Sequence, residues 1–474
     1  LLRNRWAEIV NEDLAQRSAT ELVSLFRAKE ISPIEAVKAA LARIETYDGT
    51  LNAFRLVDPI GALAAAEQSE RRWRSGVPIG LLDGVPVSIK DVFLTKGWST
   101  LWGSRLVSAD QPWNEDAPAV ARLKEAGAVL LGKTTTPEFH WKTVTDSPLT
   151  GITRNPWNPA MTAGGSCGGA AVAIATGMGA LALGTDGGGS IRVPSAFTGI
   201  FGLKPSFGRV PLWPPGAFGT MAHVGPMTRS VADAALMLEI IALPDARDWR
   251  ALPPDPTNYR DGLEDGLKGV RIAFSRDLGY AAVDPEIAAA VDRAARTFTD
   301  FGAMVEERSP GFADPRGIFE TLAFPAIARE LNRFDPGQRK LMDPGLVAVA
   351  EIGARVGLDD YLAAEQARGE LGILMRRFHE SYDLLITPTV PIAPFSAGQD
   401  VPDPTRQSRW TEWSPFTFPF NLTGQPAASM PCGFTRLGLP IGMQIVGPAY
   451  GDRLVLRAAR AFEQVHPIRL PTLR

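Results

Sequence analysis

Apolar and polar positions follow two different periods along this chain. Near the start the period is helical. Leu22, Leu25 and Phe26 share one face behind Ser18, which suits an N-cap. Ser32-Pro33-Ile34-Glu35 then sets Ser at an N-cap, Pro at the first helical position and Glu at capping-box spacing, with Val37, Leu41 and Ile44 as the apolar stripe. A third helix is expected over 59–74. From Gly80 the pattern changes. Gly84-Val-Pro-Val-Ser-Ile-Lys90-Asp91-Val-Phe93 reads as a buried strand ending in a turn, 120–125 as a helix and 128–133 as a short strand. Downstream, three helical stretches are expected between 281 and 380. Strands are expected over 270–274 and 383–388, a hairpin over 438–447 and a closing helix over 454–465. The charged, proline-containing run 245–265 reads as a surface loop. Alternating helix and strand predict an α/β or mixed architecture.

Composition narrows the class. The chain has 474 residues, 45 % hydrophobic and 21 % charged, so it is neither disordered nor fibrous. Its net charge of −3 offers no basic surface for nucleic acid, tRNA included. Cys167 and Cys432 are the two cysteines, and His140, His223, His379 and His466 are scattered, so neither a disulfide framework nor a zinc-ligand spacing is present. The longest apolar run, 170–184, is too short for a membrane span. The opening Leu-Leu-Arg-Asn-Arg has no signal-peptide character. A cytoplasmic protein is expected.

Three features carry chemistry. The first is Gly164-Gly165-Ser166-Cys167-Gly168-Gly169, and the second is Gly184-Thr185-Asp186-Gly187-Gly188-Gly189-Ser190-Ile191-Arg192. Successive N–H groups of such loops can converge on an anion or a developing oxyanion, although two tight turns beside a buried helix would also use glycine. The third is Lys90 within an apolar strand. Desolvation would make its amine a base near neutral pH, unless it pairs with Asp91 or another carboxylate. Two other templates fit less well. Gly177-Met-Gly179-Ala-Leu-Ala182 matches a dinucleotide fingerprint, but inside a helix-like alanine run with no acidic residue about twenty positions on. Gly164–Gly168 matches the GxSxG nucleophile elbow, which would make Ser166 the nucleophile of an α/β-hydrolase-type esterase with His379 or His466 as its base. No P-loop is present.

Together these features resemble the amidase signature family of serine hydrolases. The resemblance also runs through Gly132-Lys-Thr-Thr-Thr-Pro-Glu138, Asn155-Pro-Trp157, Phe201-Gly-Leu-Lys-Pro-Ser-Phe-Gly-Arg209 and Gly225-Pro-Met-Thr-Arg229. It ends in Asn421-Leu-Thr-Gly-Gln-Pro-Ala-Ala and Gly438-Leu-Pro-Ile-Gly-Met-Gln444. It implies one amidase-signature domain over 1–474: N-terminal helices to about 75, a catalytic core over 76–240, a helical pocket mouth over 281–380 and a return to the sheet over 381–474. The implied fold is α/β, a central twisted mixed sheet covered on both sides by helices. It implies Ser190 as nucleophile, Ser166 as bridging serine after a cis peptide from Gly165, and Lys90 as base. Backbone N–H groups of Gly187, Gly188, Gly189 and Ser190 would hold the oxyanion, with Thr185, Asp186, Arg192 and Gly165 supporting the loops. No metal or cofactor is implied. Cys167 and Gly187 depart from the commonest family pattern. The first stands where a second serine is frequent, the second where a side chain is frequent.

By position in the family, His140 and Trp141 line the acyl pocket. Trp213, Phe218, Phe324, Trp410 and Phe416 would form an apolar funnel, though core packing explains an isolated aromatic equally well. The expected substrates are small amides of aryl or alkyl amines, with esters and carbamates (urethanes) accessible to the same chemistry. A homodimer is compatible with the chain. Glutamyl-tRNA amidotransferase subunits share the family, but no counterpart of their glutamine-recognising segment is apparent. An amidotransferase-like subunit needing a partner stands as the third alternative.

Overall fold

The computed structural model describes residues 14–255 and 258–473. The opening Leu-Leu-Arg-Asn-Arg, and residues 256 and 257 of the charged loop, lie outside them. The strands are β1 Phe54–Val57, β2 Pro86–Lys90, β3 Val129–Thr134, β4 Asp146–Ser147, β5 Gly151–Ile152, β6 Leu181–Asp186, β7 Phe201–Lys204, β8 His223–Thr228, β9 Arg271–Phe274, β10 Met304–Glu307, β11 Leu384–Pro388, β12 Ala427–Phe434 and β13 Pro440–Val446. Among the described residues, β4 and β5 form a small hairpin and the other eleven form one sheet in the order β1-β3-β2-β6-β8-β7-β12-β13-β11-β9-β10. It is mixed. β3, β2 and β6 run parallel beside the antiparallel edge strand β1, and β11, β9 and β10 run parallel at the other end, with antiparallel pairs between.

Strand alternation assigns the two faces. Val87, Ile89, Leu181, Leu183, Met443 and Ile445 join one core with the helices Val231–Ile241, Pro285–Asp300 and Asp452–Val465. Ala182 packs on the opposite face against Ala170 and Ile174 of the helix Gly168–Thr176. Lys90 follows Ile89 and therefore emerges on that second face, beside the start of Gly168–Thr176. The period of two thus delivers the lysine to the glycine-rich loops.

The helix starts expected at Ser18 and Ser32 form complete capping boxes, on Ala19–Ala28 and Pro33–Leu51. Four expectations need correction. The alanine-rich run is not one helix: Gly177 caps Gly168–Thr176 with φ +77, and Leu181–Asp186 continues as the central strand β6. The 281–380 region holds four longer helices, Pro285–Asp300, Arg316–Leu331, Pro344–Gly353 and Leu358–Ser381, plus the short turn Pro336–Arg339 and the strand β10. Asp335 and Asp343, each followed by Pro at N1, cut the run into pieces. The charged loop is anchored rather than superficial, because Tyr259 and Leu263 are buried in the first core. The hairpin is longer than expected, since β12 pairs with β13 from Ala427 to Phe434.

Two glycines face each other where β6 enters the second Gly/Ser loop: Gly184 pairs with Gly225 of β8. A Cβ on Gly225 would lie 2.1 Å from the Leu203 carbonyl oxygen. Gly225→Ala is expected to destabilise the protein by about 1–3 kcal/mol through overpacking. Gly49→Ala, where a Cβ meets open space inside a helix, is expected to stabilise it by up to about 1 kcal/mol. Urea unfolding midpoints of the two variants should move in opposite directions.

Candidate active site

Three elements meet on the second face of the sheet. β2 ends at Lys90, the loop before Gly168–Thr176 carries Ser166, and the loop between β6 and the helix Arg192–Thr198 carries Ser190. The first loop must run close to its neighbour: a Cβ on Gly165 would lie 2.5 Å from the Val144 carbonyl. Thr145 holds it, donating from Oγ1 to the Gly164 carbonyl (2.8 Å) and accepting from the Gly168 N–H (3.0 Å). The Gly165–Ser166 peptide is cis. The loops are tied directly by the Cys167 N–H donating to the Ser190 carbonyl at 3.1 Å.

The three side chains form a row. Lys90 Nζ lies 2.6 Å from Ser166 Oγ, which lies 2.8 Å from Ser190 Oγ. Lys90 Nζ also donates to Thr185 Oγ1 at 2.9 Å. Lys90 and Ser166 are fully enclosed, while Ser190 retains 7 % exposure and opens into a cavity. Burial lowers the Lys90 pKa; Cys167 and the Asp186 charge oppose this without cancelling it. Lys90 does not pair with Asp91. That carboxylate takes Arg55 Nε at 2.7 Å and has Lys133 Nζ at 3.8 Å. Cys167 is fully buried and donates weakly from Sγ to the Thr185 carbonyl at 3.1 Å, so it is both small filler and weak partner.

Asp186 and Arg192 clamp the second loop. Both are inaccessible to solvent and make a two-pronged ion pair, Nη2–Oδ1 at 2.8 Å and Nε–Oδ2 at 2.9 Å. Burial alone would raise the Asp186 pKa, but Arg192 holds it well below the usual carboxylate range. Asp186 Oδ1 also accepts the Gly189 N–H at 2.8 Å. That N–H is therefore committed to the loop. The N–H groups of Gly187, Gly188 and Ser190 donate to nothing among the described residues. Arg192 further reaches the Thr417 carbonyl, Gln444 Oε1 and Asn421 Oδ1 at 2.6–2.8 Å.

The cavity at Ser190 has a volume of about 340 Å³. His140 and Trp141, placed there by position, line it, and so do Trp213, Phe218 and Trp410 of the aromatic funnel. Phe324 and Phe416 do not. They are 2 % and 0 % exposed in the adjoining core, so the expected funnel is corrected at these two positions. Trp102 and Phe139 line the cavity instead and carried no signal in the sequence. A third missed residue is Lys133, fully buried, whose ammonium donates to the Phe93 carbonyl, Thr95 Oγ1 and Thr100 Oγ1. Burial lowers its pKa to about 7 against the pull of Asp91. It braces the segment that follows Lys90. Neither histidine of the esterase alternative reaches Ser166: His379 Nδ1 contacts the Tyr382 carbonyl at 2.9 Å, and His466 is exposed at the C-terminus of Asp452–Val465.

Comparison with known proteins finds one family throughout. The family model described as Amidase matches residues 35–456. A glutamyl-tRNA(Gln) amidotransferase subunit of Myxococcus xanthus is 38 % identical, over 96 % of this chain and 98 % of that protein. The acylamidase of Rhodococcus erythropolis is 36 % identical, over 97 % of each. The crystal structure of a bacterial aryl acylamidase of the amidase signature family superposes with a TM-score of 0.88 at 32 % identity, covering 95 % of this chain and 96 % of that one.

Arg192→Met leaves Asp186 buried and unpaired, and should cost about 3–5 kcal/mol at neutral pH. The sign with pH follows from the two carboxyl states. In the wild type the depressed Asp186 pKa contributes stability that falls away below the unfolded carboxylate pKa of about 4. In the variant the unpaired carboxyl gains from protonation. The difference in unfolding free energy should therefore shrink as pH falls from 7 towards 4, and a constant difference would contradict the clamp.

Proposed function

The chain belongs to the amidase signature family of carbon–nitrogen hydrolases, and from that premise we propose that it cleaves uncharged aryl and alkyl amides through an acyl-enzyme on Ser190. The Lys90–Ser166–Ser190 row carries this reading. With Lys90 protonated, the ammonium donates to Ser166 and leaves the serines without a base. Once Lys90 is neutral, both hydrogen bonds reverse. Ser190 then donates to Ser166, and Ser166 donates to the lysine lone pair.

Ser190 Oγ attacks the amide carbonyl carbon, and its proton passes through Ser166 to Lys90. The free N–H groups of Gly187, Gly188 and Ser190 receive the oxyanion; Gly189 shapes their loop by its bond to Asp186. The C–N bond breaks as the relay returns the proton to the leaving amine. Water then attacks the acyl-enzyme, the same relay takes its proton, and Ser190 is restored. Esters and carbamates form the corresponding acyl- or carbamoyl-enzyme and enter the same cycle.

The kinship with amidotransferase subunits supports a second reading, glutamine hydrolysis in a complex. The cavity favours the first. Arg333 at its rim is paired with Glu330 at 2.6 Å, and Lys142 with Asp146, Asp343 and Asp400 at 2.6–2.8 Å. A zwitterionic substrate meets aromatic rings there and charges that already have partners.

The experiment is a matched panel of an aryl anilide, a primary amide, an aryl ester, an aryl carbamate and glutamine. The anilide or primary amide should be hydrolysed by the isolated chain and glutamine should not. Ser190→Ala should lower kcat by about 10⁴–10⁶-fold, and Lys90→Ala by about 10²–10⁴-fold. Glutamine as the preferred substrate would establish the second reading. Because neutral Lys90 is the active form, kcat/KM should rise from acidic to mildly alkaline pH as its buried ammonium deprotonates. A flat profile from pH 5 to 9 with a chemistry-limited amide would exclude the lysine base.

A further inference from the structure

Left-handed backbone is disfavoured for residues that carry a Cβ. Trp102 (φ 50), Phe139 (φ 47) and His140 (φ 49) adopt it, and all three line the cavity at Ser190. Such conformations persist where the surrounding structure enforces them, and they concentrate at ligand sites. His140 carries a second observation. Its Nδ1 is buried without a hydrogen-bond partner among the described residues. The ring packs against Phe218 at 5.9 Å, so it is held in one place. Burial, reinforced by the nearby Lys90 charge, pushes its pKa down to about 3, and the imidazole is neutral with one N–H and one lone pair. An orphaned buried N–H is rarer and costlier than an under-used acceptor. The proton therefore belongs on Nε2, the nitrogen that is not enclosed.

We propose that His140 is a specificity determinant whose Nε2–H donates a hydrogen bond to an uncharged acceptor on the substrate, a carbonyl, ether or nitro oxygen on the part of the amide lying between Trp141 and Phe218. This rests on the amidase reading for the reaction but not for the binding. A neutral donor in an aromatic wall favours an acceptor of that kind and offers a carboxylate no counter-charge. The selected class is aryl amides bearing a second polar, uncharged group.

The test uses benzanilides carrying an acetyl group at the meta or para position of the benzoyl ring, each against its isopropyl counterpart of similar shape. Affinities are measured at equilibrium in the Ser190→Ala background, and kcat/KM with Ser190 intact. At one ring position, His140→Ala should weaken acetyl over isopropyl binding by about three- to tenfold, mainly through KM in the active enzyme. His140→Asn, which tolerates the left-handed backbone and keeps an N–H donor, should recover part of that preference. His140→Gly should lose the preference without lowering the thermal midpoint, because glycine adopts φ +49 freely. The proposal is overturned if His140→Ala weakens every compound by one common factor, or if His140→Gly lowers the midpoint while the preference survives. A His140-dependent binding preference without turnover of any anilide would count against the amidase reading alone. Turnover with a His140-independent ratio would count against this proposal alone.

Discussion

The buried pair of Asp186 and Arg192 is the joint on which this architecture turns. Asp186 closes β6, and Arg192 opens the helix that follows the loop carrying Ser190. The guanidinium directs its remaining donors to Thr417, Asn421 and Gln444, residues more than 220 positions away in sequence. One desolvated cation therefore binds the central strand, the Gly/Ser loop and the C-terminal hairpin into one piece. Burying two charges is expensive unless every donor and acceptor is used. Here Asp186 receives the Gly189, Ile191 and Arg192 N–H groups as well as the guanidinium. The glycines around Ser190 are thereby held in a single conformation although each is intrinsically free.

The same pair sets the chemistry of Lys90. A buried amine beside an unpaired carboxylate stays protonated, and a protonated Lys90 is no base. Asp186 acts on Lys90 by its charge, and Asp91 is the next residue in sequence. Asp186 is neutralised by Arg192, and Asp91 by Arg55 with Lys133 behind it. With both carboxylates engaged elsewhere, burial wins and the lysine pKa falls. The positions flanking the Lys90–Ser166–Ser190 row act as an electrostatic shield as much as a scaffold.

This division explains what could be read from the chain. The run Val85–Ile89 declares a strand, its period of two puts Lys90 on a definite face, and two glycine clusters that each hold a serine declare loops of unusual shape. Those signals are local, and the structure brings the three side chains into one row. Helix caps such as Ser18 and Ser32 are equally local, and both are found in place. The central strand β6 was hidden because Leu181, Ala182 and Leu183 are apolar on both faces, a pattern shared with a buried helix. Asp335 and Asp343, with their following prolines, split the 281–380 region more finely than apolar periodicity suggested.

Recognition was legible only in part, for a geometric reason. The cavity wall is assembled from Trp102, Phe139 to Trp141, Trp213 to Phe218, Arg333 and Trp410, segments that meet only in three dimensions. An aromatic residue in sequence carries no mark that separates Phe324, enclosed in the core, from Phe139, which lines the cavity at Ser190. What separates them is backbone. Trp102 is followed by Gly103 in a left-handed turn, and the Phe139 N–H donates to the Trp102 carbonyl at 2.8 Å, so the two strained turns lock one another. The wall is thus built from paired irregular turns that direct large side chains inward. Regular structure positions the row of Lys90, Ser166 and Ser190, and irregular structure shapes the cavity in front of it.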